Sequence, residues 1–531
     1  MNLLSSLNIS AGALSVNEKA ISVVSHNVSN MNTEGYHKQR VNLAARNIAG
    51  QIGDNPDNQV RANGGVKIAN VMRYNDEYLN NYYRDQLSKK NMLEQQLGDL
   101  DELAKIFDDL EGTGIDNALS AFYEALNNLN QYPASSAARA NFIETAKTLT
   151  KTLNGKSAQL DNLTGASLGT GDSEEALKKS RIYVMYRELN NSLEELASVN
   201  KALQTTQTGT LTANNLLDQR DLILHDIAQF VDITVDEKAN GSVNVFMGDI
   251  PLVKGANVTG SIDIETAADY KKDHPEWKGT DPVIVNIVKY DGDSKEVIVE
   301  NANQYVTGGA IGGLLTSSSI SGEDSINPTT VQNNLNKLAQ SIAKIFNDLN
   351  TKDDSEGTAY AIDPENTSHL KKTTPTNYLF VDENGGVDNI TAGNIKLADN
   401  LYKENGIWDI ACAFFDDPAN YDENAVGNSQ NVVAMLNTRS KQQPALENMS
   451  VEDFYSSMLG KIASAGDSAK TLYETQCDVV DSIENQLDSA YGVDLNEELV
   501  DLVKYQTAYG AAAQVFNVVN SCLDTLMTLG R

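Results

Sequence analysis

Side chains able to do chemistry are few in this sequence, and they are scattered. Its five histidines, His26, His37, His225, His274 and His369, include no pair three or four residues apart. None begins the H-E-x-x-H helix of a zinc protease. His26 beside an N-terminal apolar stripe, and His225 among helix-forming residues, read as partly exposed structural histidines. Cys412, Cys477 and Cys522 lie far apart, with no C-x-x-C spacing and no neighbouring histidine. They read as small buried or indifferent thiols, not as a disulfide framework or a zinc site. Neither a nucleophile elbow nor a G-x-x-x-x-G-K-[ST] phosphate loop is read from the chain. The run Gly308-Gly309-Ala310-Ile311-Gly312-Gly313 has the wrong spacing to cradle a phosphate and reads as a flexible return between elements. Asp291-Gly292-Asp293-Ser294 lacks the later ligands of a calcium loop and reads as a hairpin turn. Asp218, Arg220 and Asp221 read as a solvated helix face or a local ion pair. The expectation is therefore no catalytic, cofactor-binding or metal site, and no enzyme.

With side-chain chemistry so sparse, the elements themselves carry the information. The chain has 531 residues, enough for three or four domains, and 40% of them are hydrophobic and 21% charged. Its net charge is −32, which repels phosphate backbones and makes nucleic acid and anionic membranes poor partners. Residues 1–73 sum to +3 and residues 490–531 to −3, so the middle holds the acidity. No segment reaches the ~18 apolar residues of a membrane span. The N-terminus lacks the basic start and apolar run of a secretory signal, and composition alone suggests a cytoplasmic protein.

Both ends carry a seven-residue apolar repeat. At the front, Leu7, Leu14, Ile21 and Val28 form one row, with Leu3, Ser10, Asn17 and Val24 as a mixed second row. At the back, Leu495, Leu502, Tyr509, Phe516 and Leu523 form an unbroken row, alternating with Leu499, Gln506, Ala513, Asn520 and Met527. Asp494 with Glu497 makes a capping pattern that starts the last helix. Stripes this narrow need a partner helix. The two ends either pack on each other as an internal bundle or also dock onto other copies.

Between the ends, helical periodicity runs from about 75 to 228, with Phe142, Ala146, Leu149 and Leu153 on one face. Period-two alternation from about 231 to 306 predicts hairpins turning at Asn240-Gly241 and Asp291-Gly292-Asp293. Helix returns over about 328–350 and from about 450, where Met458, Ala465, Leu472 and Val479 recur every seven residues. The fold class is mainly α with β-rich inserted domains: a terminal α-helical coiled coil, an elongated helical-bundle body and inserted β domains. Residues 1–35 with 495–531 form the terminal assembly domain. Residues 36–230 with 306–350 and 431–494 form the body, 231–305 a β-rich insertion and 351–430 a small variable insertion.

The string Ser25-His26-Asn27-Val28-Ser29-Asn30-Met31-Asn32-Thr33-Glu34-Gly35-Tyr36, followed by Lys38-Gln39-Arg40-Val41, resembles the N-terminal motif of flagellar axial proteins. Tyrosine after the glycine is similar to the hook-associated protein 1 family, whereas hook and rod subunits more often show phenylalanine. Three further stretches resemble that family: Asn214-Asn215-Leu216-Leu217-Asp218-Gln219-Arg220-Asp221 with the strands after it, Gly309-Ala310-Ile311-Gly312-Gly313-Leu314-Leu315, and Gly492 through Leu526. The motif residues Asn27, Asn30, Asn32 and Thr33 can cap a helix end and hold a turn, and Gly35 can leave it at positive φ.

The resemblance implies a structural subunit of the bacterial flagellum, made in the cytoplasm and exported unfolded by the flagellar type III system. Its place would be the junction on the distal hook from which the filament is built. Its implied partners are further copies in a ring or short helical tier, hook protein, the second junction protein of the hook–filament boundary, and an export chaperone at the C-terminal helix. Two alternatives are a hook or rod subunit, and a secreted binding or enzymatic module in the variable insertions.

Overall fold

The computed structural model describes residues 3–48, 62–108, 113–169, 174–292, 294–318 and 325–529. Its first helix, α1 (Leu3–Ser29), and its last, here α13 (Leu495–Leu529), pack along one another. A long antiparallel ribbon of β1 (Gln39–Ile48) and β2 (Ala62–Arg73) lies against α1. Val41 and Val71 pair across the ribbon and form a small core with Ala20 and Val23 of α1, against which Leu211 and Tyr505 pack. A two-stranded ribbon is stable only against such a surface. The two strands, residues 39–48 and 62–73, therefore belong structurally with the terminal helices, which corrects their assignment to the helical body.

The body begins with α2 (Glu77–Phe107), α3 (Gly114–Gln131), α4 (Ser136–Leu168), the short α5 (Glu174–Lys178), α6 (Arg181–Thr205) and α7 (Leu211–Phe230). Side-chain oxygens of Asp76, Ser135, Ser180 and Thr210 accept from backbone N–H groups in the first turns of α2, α4, α6 and α7. These bonds satisfy donors that a helix start otherwise leaves unpaired. After α7 come β3 (Thr234–Glu237), β4 (Val243–Met247), β5 (Ile250–Lys254) and β6 (Asn257–Val258), paired in that order. A second sheet follows, β7 (Ser261–Thr266), β8 (Val283–Asp291) and β9 (Ser294–Val299), with α8 (Ala267–Asp273) between its first two strands. The turns at Asn240-Gly241 and Asp291-Gly292 fall between paired strands.

Residues 309–313 are not a flexible return. They open α9 (Gly309–Ser318), a buried helix against α2 and α7. Gly309 sits at φ +67°, and a Cβ there would lie 2.2 Å from the Phe230 carbonyl carbon. The glycine is required by close approach and left-handed geometry. The chain continues through α10 (Pro328–Asn350), short strands and 3-10 turns over 351–429, α11 (Gln430–Asn437) and α12 (Val451–Tyr491).

Two cores hold this body. One joins Phe122, Phe142, Phe346 and Tyr455 of α3, α4, α10 and α12. Phe122 meets Phe346 edge-on at 4.9 Å between ring centroids. Phe380, Ile395, Ile410 and Cys412 belong to the same core, so residues 351–430 are not an independent domain. Only a small cluster of Tyr360, Ile362, Leu370 and Ala413 is their own. The second core joins α6, α7 and α9 to both sheets, so the β insertion likewise shares its interior with helices. On α12, Met458 is buried while Leu472 is exposed. The last half of α12 lies along α2, where Gln476 Nε2 donates to the Gln86 carbonyl at 3.0 Å and Tyr83 Oη to Glu484 Oε1 at 2.6 Å.

Candidate assembly site

Helix α13 starts where Asp494 Oδ1 accepts from the Asn496 N–H at 2.7 Å. Along it, Leu502, Phe516 and Leu523 are partly shielded, whereas Leu495 and Tyr509 of the same expected row are exposed. In the second expected row only Ala513 is partly shielded; Leu499, Gln506, Asn520 and Met527 are exposed. The positions shielded beside Leu502, Phe516 and Leu523 are Glu498, Asp501, Tyr505, Ala512, Ala513 and Val519. Glu498, Leu502, Tyr505, Ala512, Phe516, Val519 and Leu523 among them follow the three- and four-residue spacing of a seam, interrupted at the exposed Tyr509. A carboxylate and an alanine within it hide the row from hydrophobic pattern reading.

On α1 the expected row Leu7, Leu14, Ile21 and Val28 is half-buried and flanks the buried face. That face is built from Ser10, Val16, Ala20, Val23, Val24 and Asn27. Small side chains there let the ribbon approach; Val66 O would lie 3.6 Å from a Cβ on Gly12.

The N-terminal motif sits where α1, β1 and α13 meet. Asn27, 1% exposed, donates through Nδ2 to the Gln39 carbonyl at 2.9 Å and to Glu498 Oε2 at 3.0 Å. Its Oδ1 accepts from the Tyr36 hydroxyl at 2.7 Å and the Gln39 N–H at 3.1 Å. This uses the full hydrogen-bonding capacity of the amide. Burial, with Asp218 and Glu498 adding, pushes the Tyr36 hydroxyl well above its usual range, so it remains a donor. Burial also raises the Glu498 carboxyl, against the opposing pull of Asn27 and Lys38. Asn30 Nδ2 returns to the His26 carbonyl at 2.8 Å, and the Thr33 N–H donates to the Asn30 carbonyl at 2.9 Å. Asn32 and Thr33 are exposed. Gly35 follows at φ +71°, and a Cβ there would lie 3.5 Å from Leu222 of α7.

Gln39 extends the network into the body. Its Oε1 accepts from Asn214 Nδ2 at 2.9 Å, and Asn214 also reaches the Val71 carbonyl at 3.2 Å. Three stretches far apart in the sequence are thus one site. Beside them lies a buried ionic cluster. Arg73 donates from Nε to Asp218 at 2.7 Å and from Nη2 to Asp221 at 2.6 Å, with His37 Nδ1 at 2.8 Å from Nη2. Arg220 grips Asp221 through Nε and Nη2 at 2.9 and 2.6 Å and the Gly241 carbonyl through Nη1 at 2.6 Å. Burial alone would raise the Asp221 carboxyl, but Arg220 and Arg73 hold it well below the usual range. Asp218, Arg220 and Asp221 are therefore not a solvated face. They anchor β2 to α7, and the His37 ring stacks on Tyr491 at 4.1 Å to bring in the end of α12.

Of this site, the sequence reading missed the roles of His37, Gln39, Arg73, Asn214 and Glu498. Gln39 and Asn214 stood inside recognisable strings, but nothing local signalled that they would meet. His225 closes the cluster, its ring 4.8 Å from Tyr83, and its Nε2 is shut from solvent without a partner. Burial and then Arg84 push it down from 6.5 to about 4. A depressed folded value means stability is full above the unfolded pKa and falls as pH drops through the window from 6.5 to about 4. The loss is at most about 3 kcal/mol, and a His225→Gln variant is expected to lack it. Urea melts of both proteins at pH 7.5 and 4.5 check this; equal slopes would refute it.

One match to a nucleophile elbow exists after all. Gly165-Ala166-Ser167-Leu168-Gly169 has the G-x-S-x-G spelling but lies at the C-terminal end of α4 instead of a strand-to-helix turn. Ser167 touches Asp99 and Arg181 there. Among the described residues, no group of three or more His, Cys, Asp or Glu could hold a metal ion, and no helix is long and apolar enough to cross a membrane. Cys412 is buried, Cys477 partly so and Cys522 exposed, all as free thiols. The arrangement holds the α1–α13 pair against the body through Asn27, Gln39 and Arg73.

Known proteins share these parts. The family model for the flagellar hook-associated protein FlgK helical domain matches residues 100–359. The flagella basal body rod protein model matches residues 7–37, and the flagellar basal body rod FlgEFG C-terminal model residues 486–529. The last two cover Asn27, Tyr36, Tyr491 and Glu498, which the structure brings together. Flagellar hook-associated protein 1 of Bacillus subtilis (strain 168) is 23% identical over 97% of this chain and 96% of its own length. Its counterpart in Salmonella typhimurium is 23% identical over 98% and 99%. The solved flagellar hook junction protein FlgK of Burkholderia pseudomallei has a similar fold, with TM-score 0.54 and 13% identity, covering 77% of this chain and all of that one. With all three regions matched and relatives aligned end to end, the chain is similar over nearly its whole length to flagellar hook-associated protein 1.

Proposed function

We propose that this chain is a structural subunit of the bacterial flagellum, seated on the distal hook, where copies in a ring or short helical tier form the junction from which the filament grows. The observation that carries this reading is the bare side of α13. Leu499, Val500, Val503, Val518 and Met527 are 47, 68, 62, 63 and 76% exposed, on a helix whose other side is engaged by α1. So much apolar surface on one helix marks an interface that neighbouring subunits complete. The relatives' names, hook-associated protein and hook junction protein, support hook protein as a neighbour, and this reading adds a second junction protein at the hook–filament boundary. Export in the unfolded state through the flagellar type III apparatus, to a place outside the cell, is the route this reading requires. A chaperone gripping Leu502, Tyr509, Phe516 and Leu523 of α13 would stand in for α1 on the seam side and keep the helix from aggregating beforehand.

The test is a strain lacking the protein. It is expected to build hooks and to release unpolymerised flagellin into the medium, both reversed by restoring the gene. Normal filaments on its hooks, with no shed flagellin, would remove the proposal.

A further inference from the structure

We infer that the outer face of the β1–β2 ribbon docks onto the acidic face of α12 in a neighbouring copy of the same chain. This deepens the assembly reading above and rests on it. In a chain of net charge −32, the two strands carry Arg40, Arg46, Lys67 and Arg73 and no acid. Strand alternation sets which side each takes. Val41 packs inward on α1, so Arg40 and Asn42 face the other way, with Met72 opposite Arg40; the register shifts after Asn42 and again around Arg46, and Lys67 lies opposite Ala44. Arg46, Lys67 and Met72 are exposed. Among the described residues Arg46 and Lys67 make no ion pair, while Arg40 reaches Asp501 only at 3.9 Å. The ribbon is thus a cationic surface with apolar Met72 on it, bare on one side.

Its complement lies on α12. Asp467, Glu474, Asp478, Asp481, Glu484 and Asp488 follow one another by seven, four, three, three and four residues, which puts them on one helix face, and all are exposed. Lys470 stands between Asp467 and Glu474, and no lysine or arginine occurs over 471–490. Among the described residues none of the six forms an ion pair, and only Glu484 has a partner, the Tyr83 hydroxyl. Like charges one turn apart repel, so a stripe of this kind is relieved by a cationic neighbour. The two surfaces match in length as well as in sign: about 30 Å of helix against about 30 Å of strand. No ion pair joins them within one chain among the described residues, so a second copy is the occupant.

The test compares full-length variants by their occupancy on purified hooks. Arg46→Glu with Lys67→Glu, and separately Glu474→Lys with Asp478→Lys and Asp481→Lys, are each expected to lower occupancy at least about tenfold. Combining all five substitutions is expected to restore it to within about threefold of the parent, because the pairing is re-formed with its signs exchanged. Should the ribbon not tolerate glutamate in thermal melts, Arg46→Gln with Lys67→Gln gives the same loss in smaller measure. Normal occupancy of either single set overturns the inference, and so does a combined variant no better than the worse set. A chain deleted of residues 495–531 separates this from the parent reading. If it fails to incorporate while the charge variants succeed, only the ribbon interface is wrong; if it also incorporates, the assembly role of the termini falls too.

Discussion

Replacing Val500, Val503 and Val518 by serine is expected to cut incorporation into hooks at least about a hundredfold while leaving the isolated subunit folded. These valines lie on the bare side of α13, so the free chain loses no buried contacts, and serine has nearly the helix propensity of valine. Its stability should stay within about 1 kcal/mol of the parent. In the assembly each valine would be covered by a neighbour, and burying such a side chain is worth roughly 1.5–3 kcal/mol. Three of them give about 4 kcal/mol at the low end, enough to empty the site at cellular concentrations. Occupancy on purified hooks, with circular-dichroism melts of the subunit, checks both halves. Unchanged occupancy would show that this face packs on nothing.

Arg73→Met should be the most damaging single change within the folded chain, by about 3–5 kcal/mol. It leaves Asp218 without its cation and Asp221 with Arg220 alone, in a place where both carboxylates are nearly shut from water. Arg73→Lys is expected to recover little, because one ammonium cannot span two carboxylates and the His37 ring as the guanidinium fork does. Adding Asp218→Asn and Asp221→Asn to Arg73→Met should restore part of the loss, since the stranded charges are then removed. Urea midpoints measure all three. Hydrogen exchange should show β2 and the first half of α7 opening first in Arg73→Met. A midpoint unchanged by Arg73→Met would mean that the cluster does not hold the ribbon to the body.

The long elements were legible because their periodicity is unbroken: Phe142, Ala146, Leu149 and Leu153 line the buried side of α4 as spaced, and Asp494 caps α13. The seam between the terminal helices was half legible. Glu498 occupies a seam position, held by Asn27 and facing Lys38 at 3.8 Å, and a hydrophobic count passes over a carboxylate. The ribbon was missed because Val41, Ile68 and Val71 are separated by asparagine, glycine and arginine, too dilute a signal for alternation. Insertions 231–305 and 351–430 were legible as β-like and loop-rich. That Phe380 would pack in the same core as Phe122, and Val245 with Leu196, depends on tertiary neighbours no local window contains. Recognisable strings marked Asn27, Gln39 and Asn214 separately. Only the fold shows them as consecutive links of one hydrogen-bonded chain.

Electron cryomicroscopy of purified hooks carrying this protein tests the central claim most directly. The account predicts a ring or short tier of copies on the distal hook, with α1 and α13 paired as here and Val500, Val503 and Val518 in van der Waals contact with neighbouring subunits. Copies attached through their β insertions, with the outer face of α13 in solvent, would contradict it.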